Sequence, residues 1–176
     1  MSNAILYRYD TPSTDGLEGW GIFVIASDGY FSCVTDFGNY AHLWPPNGWG
    51  PRDFREFLCG LDSGYVAGKC GVKKVYDGEA TAKSIENYIQ NELADKLRGQ
   101  DELNLSAQQD ELDLLHDECN HVYDIEDFRE WCIGTTLSAP YEFRCEKTDP
   151  QWTALWTHTW PRFVAAMRAE LAKETT

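Results

Sequence analysis

The chain has 176 residues, 43% of them apolar and 14% aromatic, and its formal net charge is −14. That length and that supply of large apolar side chains are typical of a single folded domain over residues 1–176, and they exclude a wholly disordered chain. The acidic charge disfavours direct binding of nucleic acid, because it repels phosphates and attracts basic partners. No run reaches the ~18 apolar residues of a membrane span, and the N-terminal residues lack a signal-peptide pattern, so we expect a cytoplasmic protein without membrane contact.

The first third of the chain predicts an antiparallel β-meander. Residues 5–10 alternate between apolar and polar types, residues 21–26 are almost wholly apolar, and Ser-Asp-Gly at 27–29 follows as a hairpin turn. Residues 30–37 alternate again, and a second turn at Gly38 leads into a further strand. One face of the third strand is expected to carry Phe31, Cys33, Thr35 and Phe37.

The rest of the chain predicts helices. The fold class is therefore α+β, with an N-terminal antiparallel β-meander followed by a helical layer and an acidic helical C-terminal half. Residues 1–76 are expected to be mainly sheet and residues 77–176 mainly helical. Pro51 is expected as the first residue of a helix, and Pro161 is expected to break the C-terminal helical segment. Capping residues and apolar spacing predict further helices after Asp77, over 107–119 after Ser106, and over 125–133 after Asp124.

Residues 36–38 read DFG, a tripeptide also found in protein kinases. Phosphoryl transfer needs in addition a Gly-rich phosphate loop, a strand lysine and an H-R-D-type loop, and the sequence contains none of these. We therefore interpret the tripeptide as the end of a strand and its turn.

The acidic charge is concentrated in residues 101–130, where eleven acidic residues face one basic residue, Arg129, for a net charge of −10. On a helix over 107–119 the acidic side chains lie opposite an apolar stripe, with one leucine among them. This face is either a solvated surface that keeps the protein soluble or a surface that competes for a basic groove built to hold nucleic acid. The second interpretation predicts partner-binding residues Asp110, Glu111, Asp113, Leu114, Asp117 and Glu118.

Trp44 and Trp49 flank a loop rich in Pro and Gly. They either cover the end of the sheet or present aromatic anchors to a partner. Both are included in the predicted partner-binding set.

Residues 116–121 read HDECNH and bring together three residue types that bind zinc, His116, Cys119 and His121. The sequence has no H-E-x-x-H motif and no paired C-x-x-C to complete such a site. We therefore predict no metal site, no cofactor and no catalytic residue. A small metal-dependent enzyme using these three residues remains an alternative.

Several N-terminal segments together resemble a group of uncharacterised bacteriophage and prophage proteins: YRYDTPST, EGWGIFVI, SDGYFSCVTDFGNYAHLW, DFREFL and VYDGEAT. The resemblance covers about the first 85 residues well and the acidic part loosely. It implies a phage-type protein that acts inside a bacterial cell, where compact acidic proteins often inhibit host defence, as anti-CRISPR and anti-restriction proteins do. We therefore expect an interaction protein that binds and inhibits a basic host protein or complex. A structural or regulatory phage component is a further alternative, and the oligomeric state is left open.

Overall fold

The computed structural model describes residues 4–14, 18–97, 122–135 and 137–174. The chain divides into two compact units, Met1–Lys73 with Thr148–Thr176 and Lys74–Lys147. The first unit holds a four-stranded antiparallel sheet with helices, and the second is mainly helical. The predicted α+β class is therefore confirmed. The prediction of one domain over the whole chain stays a prediction.

The sheet of the first unit is the predicted meander. Its strands are β1 (Leu6–Thr11), β2 (Gly21–Ala26), β3 (Tyr30–Thr35) and β4 (Gly38–Leu43), hydrogen-bonded in chain order. Each pair is antiparallel, and the registers place Tyr9 opposite Phe23, Phe23 opposite Cys33 and Cys33 opposite Tyr40. The turns after β2 and β3 use Gly29 at φ 104° and Gly38 at φ 112°, which residues with a Cβ rarely adopt.

One face of this sheet is buried, as the alternation predicts. Phe31, Cys33, Thr35 and Phe37 are all buried. The ring of Phe163, from the C-terminal helix, stacks on Phe23 with ring centroids 4.2 Å apart. The core of the first unit is mainly aromatic because these wide rings fill the space between sheet and helices.

Helix α1 spans Phe54–Leu58 and α2 spans Ser63–Lys69. The prediction that Pro51 begins a helix is wrong by three residues. Asp53 is the N-cap, and its carboxylate accepts a hydrogen bond from the backbone N–H of Arg55 at 2.7 Å. A carboxylate that satisfies a free helical N–H fixes the helix start more firmly than the favourable φ of proline.

The prediction that Pro161 breaks the C-terminal helical segment is also wrong. Helix α5 (Pro150–Ala154) continues through a π-helical turn (Leu155–Thr159) into α6 (Trp160–Glu174). Proline lacks the N–H that an α-helix requires and crowds the carbonyl four residues earlier. In the π-helical turn the N–H of Trp160 donates to the carbonyl of Leu155. This wider turn allows the helix to continue through Pro161.

The second unit contains β5 (Lys74–Tyr76), α3 (Gly78–Leu97), α4 (Ile125–Gly134), a 3₁₀ turn (Pro140–Phe143) and β6 (Glu146–Thr148), whose last residue already belongs to the first unit. β5 pairs with β6. The predicted caps are confirmed: Asp77 accepts from the N–H of Ala80, and Asp124 accepts from two N–H groups of α4. The core of this unit consists of Ile85, Ile89, Val122, Phe128, Trp131 and Cys132. The predicted helix over 107–119 lies outside the described residues.

Candidate interaction surface

The two units differ in charge. The second unit contains 18 acidic and 7 basic residues, for a net charge of −11, while the first contains 11 and 8, for a net charge of −3. Most of the acidity of the chain therefore belongs to the unit that contains α4. An approaching basic molecule is attracted mainly to that unit.

Helix α4 presents an acidic outer face. Phe128, Trp131 and Cys132 point into the core of the second unit and are buried. At 100° per residue, Glu126 and Glu130 lie on the opposite side, and both are exposed. We call the surface of Glu126, Arg129, Glu130 and Ile133 the α4 face. Its three charged residues belong to the part of the acidic segment that the structure describes.

Asp124 caps the N-terminus of α4, next to this face. The backbone N–H groups of Asp127 and Glu126 donate to Asp124 at the start of α4 and hold the pKa of its carboxyl below its usual value. Arg129 pairs with Glu126 at 2.5 Å, and both side chains are more than half exposed. A pair so exposed adds little stability, so its residues remain available for other contacts.

An apolar side chain sits within the same face. Ile133 is 82% exposed, the most exposed of the large apolar residues described. It follows Glu126 by seven residues and Glu130 by three, so the three side chains lie along one stripe of the helix. Tyr123 and Tyr141 of the same unit are also exposed. A single exposed apolar residue is ordinary on a protein surface, so Ile133 is informative only together with the charged residues beside it.

The residues predicted for partner binding fall into two groups. Asp110, Glu111, Asp113, Leu114, Asp117 and Glu118 lie outside the described residues, as do His116, Cys119 and His121. Trp44 and Trp49 are described, and they are only 2% and 6% exposed. Their rings pack on Phe54, with centroids 5.8 Å and 4.8 Å away, and so belong to the core of the first unit. This packing matches the interpretation that they cover the end of the sheet and leaves little of either indole to meet a partner.

Ile133 was not among the predicted site residues, although the sequence contains the signal for it. A helix with Phe128, Trp131 and Cys132 inside must place residue 133 outside, about 140° from Phe128. Glu126 and Glu130 belong to the acidic segment 101–130, but its densest acidic cluster lies in the predicted helix over 107–119, to which the sequence-based prediction points. A helical wheel drawn for the predicted helix over 125–133 places Glu126, Glu130 and Ile133 together on its outer side.

The described cysteines with a shifted pKa are not activated nucleophiles. Burial raises the pKa of the Cys33 thiol to about 12 and that of the Cys70 thiol to about 11. A thiol must lose its proton to attack a substrate, so both groups are inert near neutral pH. Among residues 4–14, 18–97, 122–135 and 137–174, no group of three or more His, Cys, Asp or Glu side chains is placed to hold a metal ion.

The densest ionic cluster of the first unit ties α1 to α6. The guanidinium of Arg55, whose side chain is 2% exposed, lies 2.8 Å from Asp53 and 2.6 Å from Glu174. It also covers the ring of Tyr7 at 4.2 Å. Its hydrogen bonds lower the pKa of the Asp53 and Glu174 carboxyls. Because every strong partner of Arg55 belongs to this unit, the cluster has the character of a structural clamp.

The DFG tripeptide has a local structural role. The carboxylate of Asp36 accepts a hydrogen bond from the backbone N–H of Trp20 at 3.0 Å, which fixes the chain just before β2. Phe37 is buried and Gly38 makes the turn into β4. The interpretation of this stretch as scaffold agrees with each of these contacts.

The fold and its charge define the class as an acidic α+β protein of two compact units. The chain belongs to a phage family, Phage_phiTE_072, whose family model matches residues 2–172. This confirms the phage origin that the N-terminal segments indicate. The comparison with curated proteins and the comparison with solved structures each gave no match. Among the described helices, none combines the length and apolar character that a membrane crossing requires.

Proposed function

We propose that this phage protein is an interaction protein that binds and inhibits a basic host partner in the bacterial cytoplasm. The partner class that fits best is a nucleic-acid-targeting defence complex of the kind blocked by anti-CRISPR or anti-restriction proteins. The observation that carries the proposal is the α4 face, where exposed Glu126, Glu130 and Ile133 lie beside Arg129 on one side of a helix, in a unit of net charge −11.

The physical argument concerns a partner whose groove is built for phosphates. Such a groove is lined by Lys and Arg, and it attracts a helix that displays carboxylates at regular spacing. Electrostatic attraction of this kind mainly speeds association and selects partners. A desolvated apolar contact such as Ile133 slows dissociation instead. Acidic charge and an exposed isoleucine on one face would thus favour both fast association and slow dissociation.

The acidic segment 107–119 extends the same proposal. Asp110, Asp113 and Asp117 would add charge to the surface, and Leu114 would add a second apolar contact. Their placement lies outside the described residues, so the experiments on α4 come first.

The first experiment compares three proteins as bait in a bacterial host lysate at rising salt: the parent, Glu126→Gln with Glu130→Gln, and a control with Asp28→Asn and Glu56→Gln. The control loses the same charge from exposed positions of the first unit. We expect parent and control to recover basic, nucleic-acid-handling proteins that the α4 variant loses at lower salt. Recovery of no such protein, or equal recovery by all three baits, would refute the proposal.

The second experiment measures rates with the recovered partner. The α4 double variant should associate about threefold to tenfold more slowly, with a weaker salt dependence, because steering scales with charge. Ile133→Ser should leave association unchanged and speed dissociation about tenfold. The same division is expected for the segment 107–119. The triple variant Asp110→Asn, Asp113→Asn and Asp117→Asn should slow association, and Leu114→Ser should speed dissociation. Parent-like rates for all four variants would make the acidic surface a solubility feature.

A further inference from the structure

The two edges of the four-stranded sheet are protected differently. Strand β1 carries Arg8 and Asp10, paired at 3.0 Å, and is followed by Pro12. Charges and proline at an edge discourage pairing with another strand. Strand β4, Gly38–Leu43, contains no charged residue and no proline. The sheet therefore has one guarded edge and one open edge.

The register shows which backbone groups of β4 face the open edge. The N–H of Trp44 donates to the carbonyl of Gly29 at 3.0 Å, and β3 and β4 continue this antiparallel ladder. Because hydrogen-bonded positions alternate along an antiparallel strand, the groups of Tyr40 and His42 face β3. Those of Asn39, Ala41 and Leu43 face outward. Within the described residues, no hydrogen bond outside the β3–β4 ladder involves these three.

The open edge is accessible. The side chains of Asn39, Ala41 and Leu43 are all exposed, Leu43 at 60%. The alternate residues are held in place on the other face: Tyr40 packs edge-on against Trp152 at 4.9 Å, and His42 against Trp44 at 4.5 Å. The strand is thus held by ring contacts on one face, while its outward groups have no hydrogen-bond partner outside the strand ladder among the described residues.

We propose that this edge is a self-association surface, on which a second copy of the chain pairs its own β4 antiparallel across a two-fold axis at Ala41. This register sets Asn39 opposite Leu43 of the second copy and Tyr40 opposite its His42. It also matches the hydrogen-bonding positions, because Asn39, Ala41 and Leu43 are the outward-facing residues on both strands. The two four-stranded sheets become one continuous sheet of eight.

The second copy fits this edge for two reasons. The strand itself contains no Asp, Glu, Lys or Arg, so no like charges of β4 meet its own copy, and the small side chain of Ala41 at the axis leaves room for its own copy. Pairing two open edges also leaves both guarded β1 edges on the outside. The assembly therefore closes at two copies, whereas pairing β4 with β1 would continue into a filament.

Strand pairing alone covers less than the roughly 1,200 Å² that stable complexes bury, so the dimer should depend on concentration. The effect of salt distinguishes self-association at β4 from partner binding at the α4 face. Two chains of net charge −14 repel each other, and added salt should strengthen the dimer by screening that repulsion. Binding of a basic partner should weaken with salt, so the two proposals can fail independently.

The test is analytical ultracentrifugation of the full chain over a wide concentration range, at low and high salt. The parent should pass from monomer to dimer, and at lower concentration when salt is added. A parent that stays monomeric throughout, or that grows beyond a dimer, would overturn the proposal.

Two matched variants locate the surface. Ala41→Lys places two ammonium groups opposite each other at the axis and should weaken dimerisation at least tenfold. Leu6→Lys puts the same charge at an exposed position of the guarded edge and should leave dimerisation unchanged. Equal weakening by both variants would exclude the β4 edge as the surface.

A mixing experiment tests the register. Ala41→Lys and Ala41→Glu should each be monomeric alone, and an equal mixture should dimerise, because opposite charges then face each other at the axis. Circular dichroism checks that both variants are folded. Folded variants that stay monomeric when mixed would overturn the two-fold register.

Discussion

Replacing Gly29 by alanine should destabilise the first unit more than its backbone conformation alone would require. Gly29 has φ 104°, and a Cβ there would overlap the backbone oxygen of Trp44 and lie 2.6 Å from Cη2 of Trp49. Both tryptophans are buried, so neither group has free space to move into. The turn glycine therefore supports the end of β4 and the loop that follows.

The magnitude follows from two contributions. A residue with a Cβ at positive φ costs about 1–2 kcal/mol. Moving the Trp44 carbonyl and the Trp49 ring strains the hydrogen bond between the Trp44 N–H and the Gly29 carbonyl and opens core packing, for about 2 kcal/mol more. We expect Gly29→Ala to lower the free energy of unfolding by about 3–4 kcal/mol.

The control is Gly71→Ala, in the same unit. Gly71 has φ 68°, but nothing lies within 4 Å of a Cβ built there. It should therefore lose only the backbone contribution, about 1 kcal/mol. Urea unfolding followed by circular dichroism and tryptophan fluorescence measures both losses. Equal losses in the two variants would refute the role assigned to the Trp44 and Trp49 contacts.

Three further predictions concern other parts of the fold. Gly78→Ala should destabilise the second unit by about 3 kcal/mol or more in urea unfolding, because its Cβ would lie 2.6 Å from the carbonyl carbon of Tyr123; a loss below 1 kcal/mol would contradict this. The folded protein holds the pKa of Glu174 below its usual value because of Arg55, so this contribution to stability is present above about pH 5 and is lost as the pH falls through the lowered pKa. Urea titrations at pH values from 6 to 3 measure how the free energy of unfolding declines with pH, and Arg55→Leu should make that decline less steep. An unchanged slope would contradict this prediction. Asp36→Asn should leave partner capture as in the parent, since Asp36 serves a backbone N–H; lost capture at unchanged stability would make this stretch a site.

Local patterns were enough to predict the meander. Alternation over residues 30–37 reports which side chains face the core, and Gly29 and Gly38 mark turns that need positive φ. The N-caps Asp77 and Asp124 were also predictable, because a carboxylate bonds to an N–H only two or three residues away. Such features depend on neighbours in sequence, so the sequence is sufficient to find them.

Other features depend on residues that are distant in sequence. Nothing near Trp44 and Trp49 indicates whether an indole in a Pro/Gly loop turns inward; the pocket formed with Phe54 and the turn at Gly29 decides it. The π-helical turn before Pro161 likewise requires a helix already held against the sheet by Phe163 and Trp160. A proline ends an isolated helix, but packing on both sides of it stabilises a continuous one.

The sequence by itself determined the acidity of this protein, its α+β class and its strand order, because composition, alternation and turn residues act locally. The phage origin also came from the sequence, but through its similarity to a family and not through local patterns. Only the tertiary structure decided which side chains of those elements reach the surface. The C-terminal helix returns to the first unit and buries one face of the sheet, while β4 keeps an open edge and Ile133 an exposed position. The burial of a residue depends on which side chains pack against it, and those side chains come from positions that are far away in sequence.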